Sequence, residues 1–266
     1  MLEVEFAELS DRGRVREGNE DYLGHALPAT PAQTRSMGWL FTLADGVGGQ
    51  EQGEVAARTA VESLLDGFRG ADRGEPHTTL LPRLVRTANT LVYQAGQEAA
   101  PGGVAMATTL VACALRFDRV VVAHVGDSRC YLLRQGRAMA LTRDHTVANE
   151  QVRLGVLSAE KVSESPTRHL LSRSLGNDLF VGVETCENQL YRGDVLLLCS
   201  DGLHGALTSA EIARTASDSP HLDVAAKDLI SIANQRDGSD NISVQLIRVR
   251  SVERVGMYRG RPYRIR

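Results

Sequence analysis

Three stretches of this chain run as apolar sequence straight into an aspartate. They are Trp39-Leu40-Phe41-Thr42-Leu43-Ala44-Asp45-Gly46, Val120-Val121-Val122-Ala123-His124-Val125-Gly126-Asp127 and Asp194-Val195-Leu196-Leu197-Leu198-Cys199-Ser200-Asp201-Gly202. Runs of this length, rich in Val and Leu and bounded by Gly, predict core strands. If the three strands lie side by side, three carboxylates gather at one edge of a sheet. Buried like charges repel and lose their hydration, at several kcal/mol each, unless they are paired or bind metal. A hard divalent cation with oxygen ligands resolves the conflict. A single Asp-Gly would be read as a turn after a strand. Three in similar frames, joined by two further acidic motifs, are read as a site.

The bulk numbers bound the rest. A length of 266 residues supports one large domain or two small ones with a substantial core. A net charge of −3 gives no global attraction to nucleic acid or membrane. Of the basic residues only Lys161 and Lys227 are lysines, which reads as codon bias rather than a phosphate-binding surface. Cys113, Cys130, Cys186 and Cys199 lack CxxC spacing and His pairing, so they are expected to be reduced core thiols of a cytoplasmic protein. The acidic N-terminus does not read as a signal peptide. No apolar run approaches the ~20 residues of a membrane helix.

Periodicity predicts strands over 4–10, 22–27, 39–45, 107–117, 119–125, 129–134, 138–141, 183–189, 194–199 and 242–249. It predicts helices over 51–68, 80–98, 145–154, 209–216 and 222–235. Residues 26–37, with Pro28 and Pro31, read as a loose connection. Residues 155–182 read as an irregular polar surface flap. The crowded strands and short turns of 107–141 have antiparallel meander spacing. The expected fold is an α/β sandwich with two sheets packed face to face and helices outside. Beyond residue 249 the composition turns Arg-rich, with Arg254, Arg259, Arg261, Arg264 and Arg266 and no acid after Glu253, which reads as an exposed tail.

Five motifs carry candidate chemistry. Arg16-Glu17-Gly18-Asn19-Glu20-Asp21 offers carboxylates for a metal or its hydration shell, and a guanidinium fork for a phosphate. Asp45-Gly46-Val47-Gly48-Gly49 lets backbone approach a ligand closely, so the Gly46 carbonyl joins the candidate ligands. Gly126-Asp127-Ser128-Arg129, Ser200-Asp201-Gly202 and Ser239-Asp240-Asn241 complete the set. Every candidate donor is oxygen, which selects Mg²⁺ or Mn²⁺ over zinc or copper. Two such ions about 3.5–4 Å apart activate water and clamp a phosphoryl oxygen.

Together with Thr108-Thr109, Thr142-Arg143-Asp144-His145-Thr146 and Arg173-Ser174-Leu175-Gly176, these motifs resemble the metal-dependent protein phosphatases of the type 2C serine/threonine family, in their bacterial form. The likeness runs in family order to about residue 249. It implies two antiparallel sheets between helical layers (αββα), a catalytic domain over 1–250 with a flap near 145–180, and a tail over 251–266. It implies that Asp45 bridges two metals and that Asp201 and Asp240 complete the first. Glu20 and the Gly46 carbonyl would belong to the second, with Asp21 holding its waters. Asp127 with Asp201 would hold a third. Arg16 would bind the substrate phosphate. The implied reaction is hydrolysis of phosphoserine and phosphothreonine by activated water, with no covalent enzyme intermediate, at a Mn²⁺ or Mg²⁺ centre. Implied partners are phosphorylated proteins, among them a serine/threonine kinase and its substrates; a monomer is the family default. Two rivals stand beside this: a non-catalytic phosphoprotein-binding regulator of the same fold, and a phosphatase dedicated to one regulator.

Val47 stands where eukaryotic members place a histidine assigned as general acid, so the leaving-group proton has no obvious donor. Water on the metal is the expected source, with His145 and His204 as alternatives. Cys113…Arg119 matches the Cys-x5-Arg spacing of cysteine-dependent phosphatases, but its bulky intervening residues read as strand and turn, not as a phosphate cradle.

Overall fold

The computed structural model describes residues 1–47, 51–99, 106–258 and 261–264. In chain order the elements are β1 (Glu3–Asp11), β2 (Asp21–Ala26), α1 (Pro31–Ser36), β3 (Trp39–Val47), α2 (Glu51–Arg69), α3 (His77–Ala99), β4 (Ala107–Thr108), β5 (Leu110–Arg116), β6 (Arg119–Val125), β7 (Arg129–Arg134), β8 (Arg137–Ala140) and α4 (Val147–Arg153). A 3₁₀ turn (Ala159–Glu164) follows, then β9 (Glu184–Gln189), β10 (Val195–Cys199), α5 (Asp201–His204), α6 (Ser209–Asp218), α7 (Leu222–Arg236), β11 (Ile242–Ser251), β12 (Val255–Tyr258) and β13 (Arg261–Arg264).

Two antiparallel sheets form the expected sandwich. One has the order β1-β11-β10-β7-β8, the other β2-β3-β5-β6-β9 with β4 pairing to β3. The long apolar runs follow from burial on both faces. In β5, Leu110, Ala112 and Ala114 pack under α2 and α3, while Val111, Cys113 and Leu115 face the other sheet. In β10, Leu197 and Cys199 meet α5–α7, and Leu196 and Leu198 face the inter-sheet core. With both faces covered, the polar alternation of a half-exposed strand disappears. Truncating a residue such as Leu198 to Ala would cost about 2–5 kcal/mol.

The three aspartate-ending strands are not side by side, as the sequence suggested. β3 and β6 flank β5 in one sheet, and β10 lies in the other. The residues of interest meet because both sheets end at the same place. Gly126–Ser128 is not a hairpin turn but a crossing from β6 in one sheet to β7 in the other. Gly126 makes the crossing at φ +105°, and a Cβ there would lie 2.6 Å from the Thr109 Cβ. Both constraints require glycine.

Three other segments differ from expectation. The 26–37 connection holds α1, capped by the Thr30 side chain with Pro31 in its first turn. The 107–117 strand breaks at Thr109, whose N–H donates to the Asp45 carbonyl at 2.8 Å while its Oγ1 accepts from the Asp45 N–H at 3.1 Å. Beyond residue 251, β12 and β13 pair as a hairpin. Just before it, the buried Glu253 takes a two-pronged contact from Arg35, at 3.1 Å for each oxygen. Arg259 and Arg266 of the Arg-rich segment lie outside the described residues.

Candidate metal centre

Each acidic side chain reaches the site from an element end. Asp21 opens β2 and Asp45 lies near the end of β3, directly opposite in register. Asp127 sits in the β6–β7 crossing. Asp201 starts α5 just after β10, and Asp240 precedes β11, the antiparallel neighbour of β10. Glu20 ends the loop between β1 and β2. Asn241 anchors that loop: its Oδ1 accepts from the Glu20 N–H at 2.8 Å, and its Nδ2 donates to the carbonyls of Arg12 and Gly18 at 2.9 and 3.0 Å. Arg16, Glu20, Asp45, Gly46, Asp127, Asp201 and Asp240 line one cleft of about 1600 Å³. Asp21 lies buried beneath it, its Oδ2 accepting from Ser200 Oγ at 2.9 Å. All the predicted site residues are therefore brought together, except that Gly48 and Gly49 lie outside the described residues.

The charge balance is lopsided. Burial pushes the Asp45 carboxyl well above the ordinary carboxylate range, helped by the charges of Asp21, Asp201, Asp127 and Asp240. Burial likewise raises Asp21 and Asp127 to about 7, and raises Asp201. Asp21 Oδ1 is buried without a partner. Arg16 bonds one member of this set, its Nη2 lying 2.8 Å from Asp240 Oδ2. That ion pair is half-exposed and screened, so it offsets little. An orphaned buried carboxylate oxygen within an all-oxygen donor set is what a hard divalent cation satisfies; the residues present fit such ions.

One contributor escaped the sequence reading. Gly53, in the first turn of α2, has no room for a side chain: a Cβ there would lie 2.0 Å from Glu20 Oε2. A Cβ on Gly46 would in turn lie 2.4 Å from the Gly53 backbone. Gly53 thus lets the Glu20 carboxylate reach the Gly46 backbone. The only signal was a glycine inside a helical pattern, where Ala would be preferred by about 1 kcal/mol.

The two histidines considered as proton donors are committed elsewhere. His204 Nε2 bonds the Asp127 carbonyl at 2.9 Å, and burial lowers its pKa to about 4. His145 Nδ1 accepts the Gly126 N–H at 3.2 Å, and burial lowers its pKa to about 4 as well. Both are therefore neutral at pH 7, not the imidazolium that a general acid requires. Cys113 is fully buried between the sheets, and β5 turns into β6 with no phosphate cradle.

The segment 145–182 forms one wall of the cleft, through residues such as Val162, Arg168, His169 and Phe180. It is pinned at its return by Leu175, which pairs with Thr108 through two backbone hydrogen bonds. The Thr108 hydroxyl donates to the Asp45 carbonyl at 2.8 Å. Arg173 reaches Glu150 at 2.9 Å, tying the return of this segment to α4.

Comparison with known proteins agrees with this geometry. The family profile described as Protein phosphatase 2C matches residues 15–244. The serine/threonine phosphatase stp of Listeria innocua is 36% identical over 256 residues, covering 95% of this chain and 96% of that protein. Among solved structures, the S. agalactiae serine/threonine phosphatase superposes with a TM-score of 0.84 at 33% identity, covering 93% of this chain and all of that one. The catalytic domain of the serine/threonine protein phosphatase PstP, in complex with two manganese ions, superposes with a TM-score of 0.79 at 31% identity, covering 94% of this chain and all of that one.

Proposed function

The chain belongs to the protein phosphatase 2C family, and from that premise we propose how its own residues remove phosphate from serine and threonine. It is a metal-dependent serine/threonine protein phosphatase. The carrying observation is the convergence of Glu20, Asp21, Asp45, Asp127, Asp201 and Asp240 at one end of the sandwich, where burial and mutual repulsion push the carboxyls of Asp21, Asp45, Asp127 and Asp201 up. We assign Asp45, Asp201 and Asp240 as the residues that would hold one Mn²⁺ or Mg²⁺ ion, with Asp45 also offered to a second. Glu20 and the Gly46 carbonyl would hold that second ion, and Asp21 would orient its waters. Asp127 with Asp201 would hold a third. When bound, the ions supply an activated water and positive charge for the phosphoryl oxygens.

The remaining work falls to the protein. Arg16, half-exposed and tied to Asp240 through one nitrogen, presents the rest of its fork to the substrate phosphate. Thr108 and Thr109 fix the Asp45 backbone, so its carboxylate does not reorganise during the reaction. Val47 carries no proton, and His145 and His204 are committed, so water in the cleft protonates the departing serine or threonine oxygen. Uncatalysed phosphate-monoester hydrolysis is slow enough that acceleration approaching ~10²¹-fold is called for, which electrostatics of this kind supply better than acid–base chemistry alone.

Catalysis is assigned to residues 1–250, with 145–180 as the flap and 251–266 outside the catalytic unit. Substrates are phosphorylated proteins, among them a serine/threonine kinase and its targets, acted on by a monomer in the cytoplasm. No helix among the described residues is long and apolar enough to cross a membrane. The complete acidic set and Arg16 argue against a non-catalytic binding module. Phosphate release from a phosphothreonine peptide with Mn²⁺, with Mg²⁺ and with EDTA tests the reading. Metal-dependent release abolished by EDTA supports it. No release from folded protein with either metal refutes it.

A further inference from the structure

His145 lies at the root of the flap and touches neither the cleft floor nor, in our reading, the substrate. Its contacts converge on one place. Its backbone N–H donates to the Gly126 carbonyl at 3.0 Å, and its ring Nδ1 accepts the Gly126 N–H at 3.2 Å. The same residue is thus bracketed twice. The next carbonyl along, that of Asp127, is held by His204 Nε2 at 2.9 Å. The β6–β7 crossing that carries Asp127 has no regular pairing of its own; these three bonds, with that between the Ser128 and Thr109 hydroxyls at 2.7 Å, hold the backbone from which the Asp127 side chain projects.

The surroundings fix the tautomer of His145. Since Nδ1 accepts a backbone N–H, the ring proton sits on Nε2. That Nε2 faces Glu184 Oε1 at 3.3 Å. His124 stacks on the ring, with centroids 4.6 Å apart and planes 19° from parallel, and is itself tied by Nε2 to the Arg143 carbonyl at 3.0 Å. His124, His145 and Glu184 each bring a ligand atom within 4.8 Å of the others, the spacing of a small cation site. The tautomer argues against that use, because Nε2 of His145 offers a proton and not a lone pair. Arg173 and Arg143, at 3.5 and 4.0 Å from Glu184 Oε1, already supply positive charge there.

We propose that His145 is a positioning residue for Asp127: it grips Gly126 by backbone and ring, the Gly126 N–H setting the tautomer and the nearby Glu184 carboxylate favouring a proton on Nε2. The proposal rests on Asp127 being a metal ligand. Groups that orient a ligand from behind typically change metal affinity by roughly 10- to 100-fold when removed.

The test is Mn²⁺ binding by calorimetry, without substrate, for wild type, D127N, H145A and H145N. D127N is expected to lose one class of Mn²⁺ sites. H145A is expected to weaken that same class roughly 10- to 100-fold and leave the others unchanged. H145N is expected to recover most of it, because the Asn Oδ1 takes the place of Nδ1 as acceptor for the Gly126 N–H. A merely structural role would lower thermal stability without singling out one class. H145A that binds like wild type while D127N does not, or H145N no better than H145A, overturns the proposal. An unchanged D127N isotherm overturns it differently, by removing the premise that Asp127 is a ligand. If H145A does not fold, H145N against H145Q decides. Gln places its amide near the Nε2 position, beyond reach of Gly126, so weaker binding in H145Q supports the proposal and equal binding overturns it.

Discussion

Gly53→Ala separates this account from one based on propensity alone. Within a helix, Ala is preferred over Gly by about 1 kcal/mol, so local reasoning predicts a stabilised and otherwise ordinary variant. The structure predicts a defect in metal binding. The added Cβ would lie 2.0 Å from Glu20 Oε2 and 3.1 Å from the Gly46 carbonyl carbon. A Cβ essentially never lies within 3.0 Å of a non-bonded heavy atom, so the carboxylate must withdraw by about 1 Å, against a tolerance of about 0.2 Å in metal–ligand distances. The displaced atom is the tip of a flexible side chain, so Glu20 rotates away and the fold survives. The helix gain should raise the metal-free Tm by about 2–4 °C for a chain of this size. Affinity for the metal held by Glu20 should fall roughly 10- to 100-fold, read as a higher Mn²⁺ concentration for half-maximal phosphate release. Differential scanning fluorimetry without metal and a Mn²⁺ titration of activity measure the two halves. A variant of raised or unchanged Tm with wild-type Mn²⁺ dependence would refute the cradle formed by Gly53, Glu20 and Gly46.

Three further outcomes are expected. Asp45→Asn should abolish phosphate release while leaving the metal-free protein at least as heat-stable at pH 7, since it removes a charge that burial and four neighbouring aspartates disfavour; a loss of Tm with activity retained would contradict both halves. Metal-free stability should fall as pH rises from about 4 to about 7: folded Asp21 and Asp127 titrate near 7 against about 4 unfolded, so the folded state holds more protons in that window and loses the advantage as they leave. Mn²⁺ should therefore raise Tm more at pH 8 than at pH 5, and the opposite ordering would count against the carboxylate cluster. Cys113→Ala should keep phosphatase activity after correction for folded fraction, whereas a cysteine-nucleophile route predicts none.

The site was legible residue by residue because its chemistry lies at strand ends, where Asp after an apolar run is conspicuous. The strands were legible because β5 and β10 are buried on both faces, which makes their apolar runs continuous. The pairing was not legible. Gly126-Asp127 has the composition of a hairpin turn, and only the strand pairing shows that it changes sheets, with β6 in one and β7 in the other. Thr109 reads as one more strand residue, yet its bonds to Asp45 divide β4 from β5. α1 was missed because Pro28 and Pro31 were read as breakers, although Thr30 followed by Pro31 is a helix start. Gly53 was invisible for a different reason: its partner, Glu20, is distant in sequence, and no local pattern records a carboxylate that needs the space.

The central claim is that Asp45 is shared by two ions. Anomalous diffraction at the manganese edge, from crystals grown with Mn²⁺, tests it most directly. The account predicts two peaks about 3.5–4 Å apart on either side of the Asp45 carboxylate, one near Asp201 and Asp240 and the other near Glu20 and the Gly46 carbonyl. A single peak, or peaks that leave Asp45 without a metal contact, would contradict it.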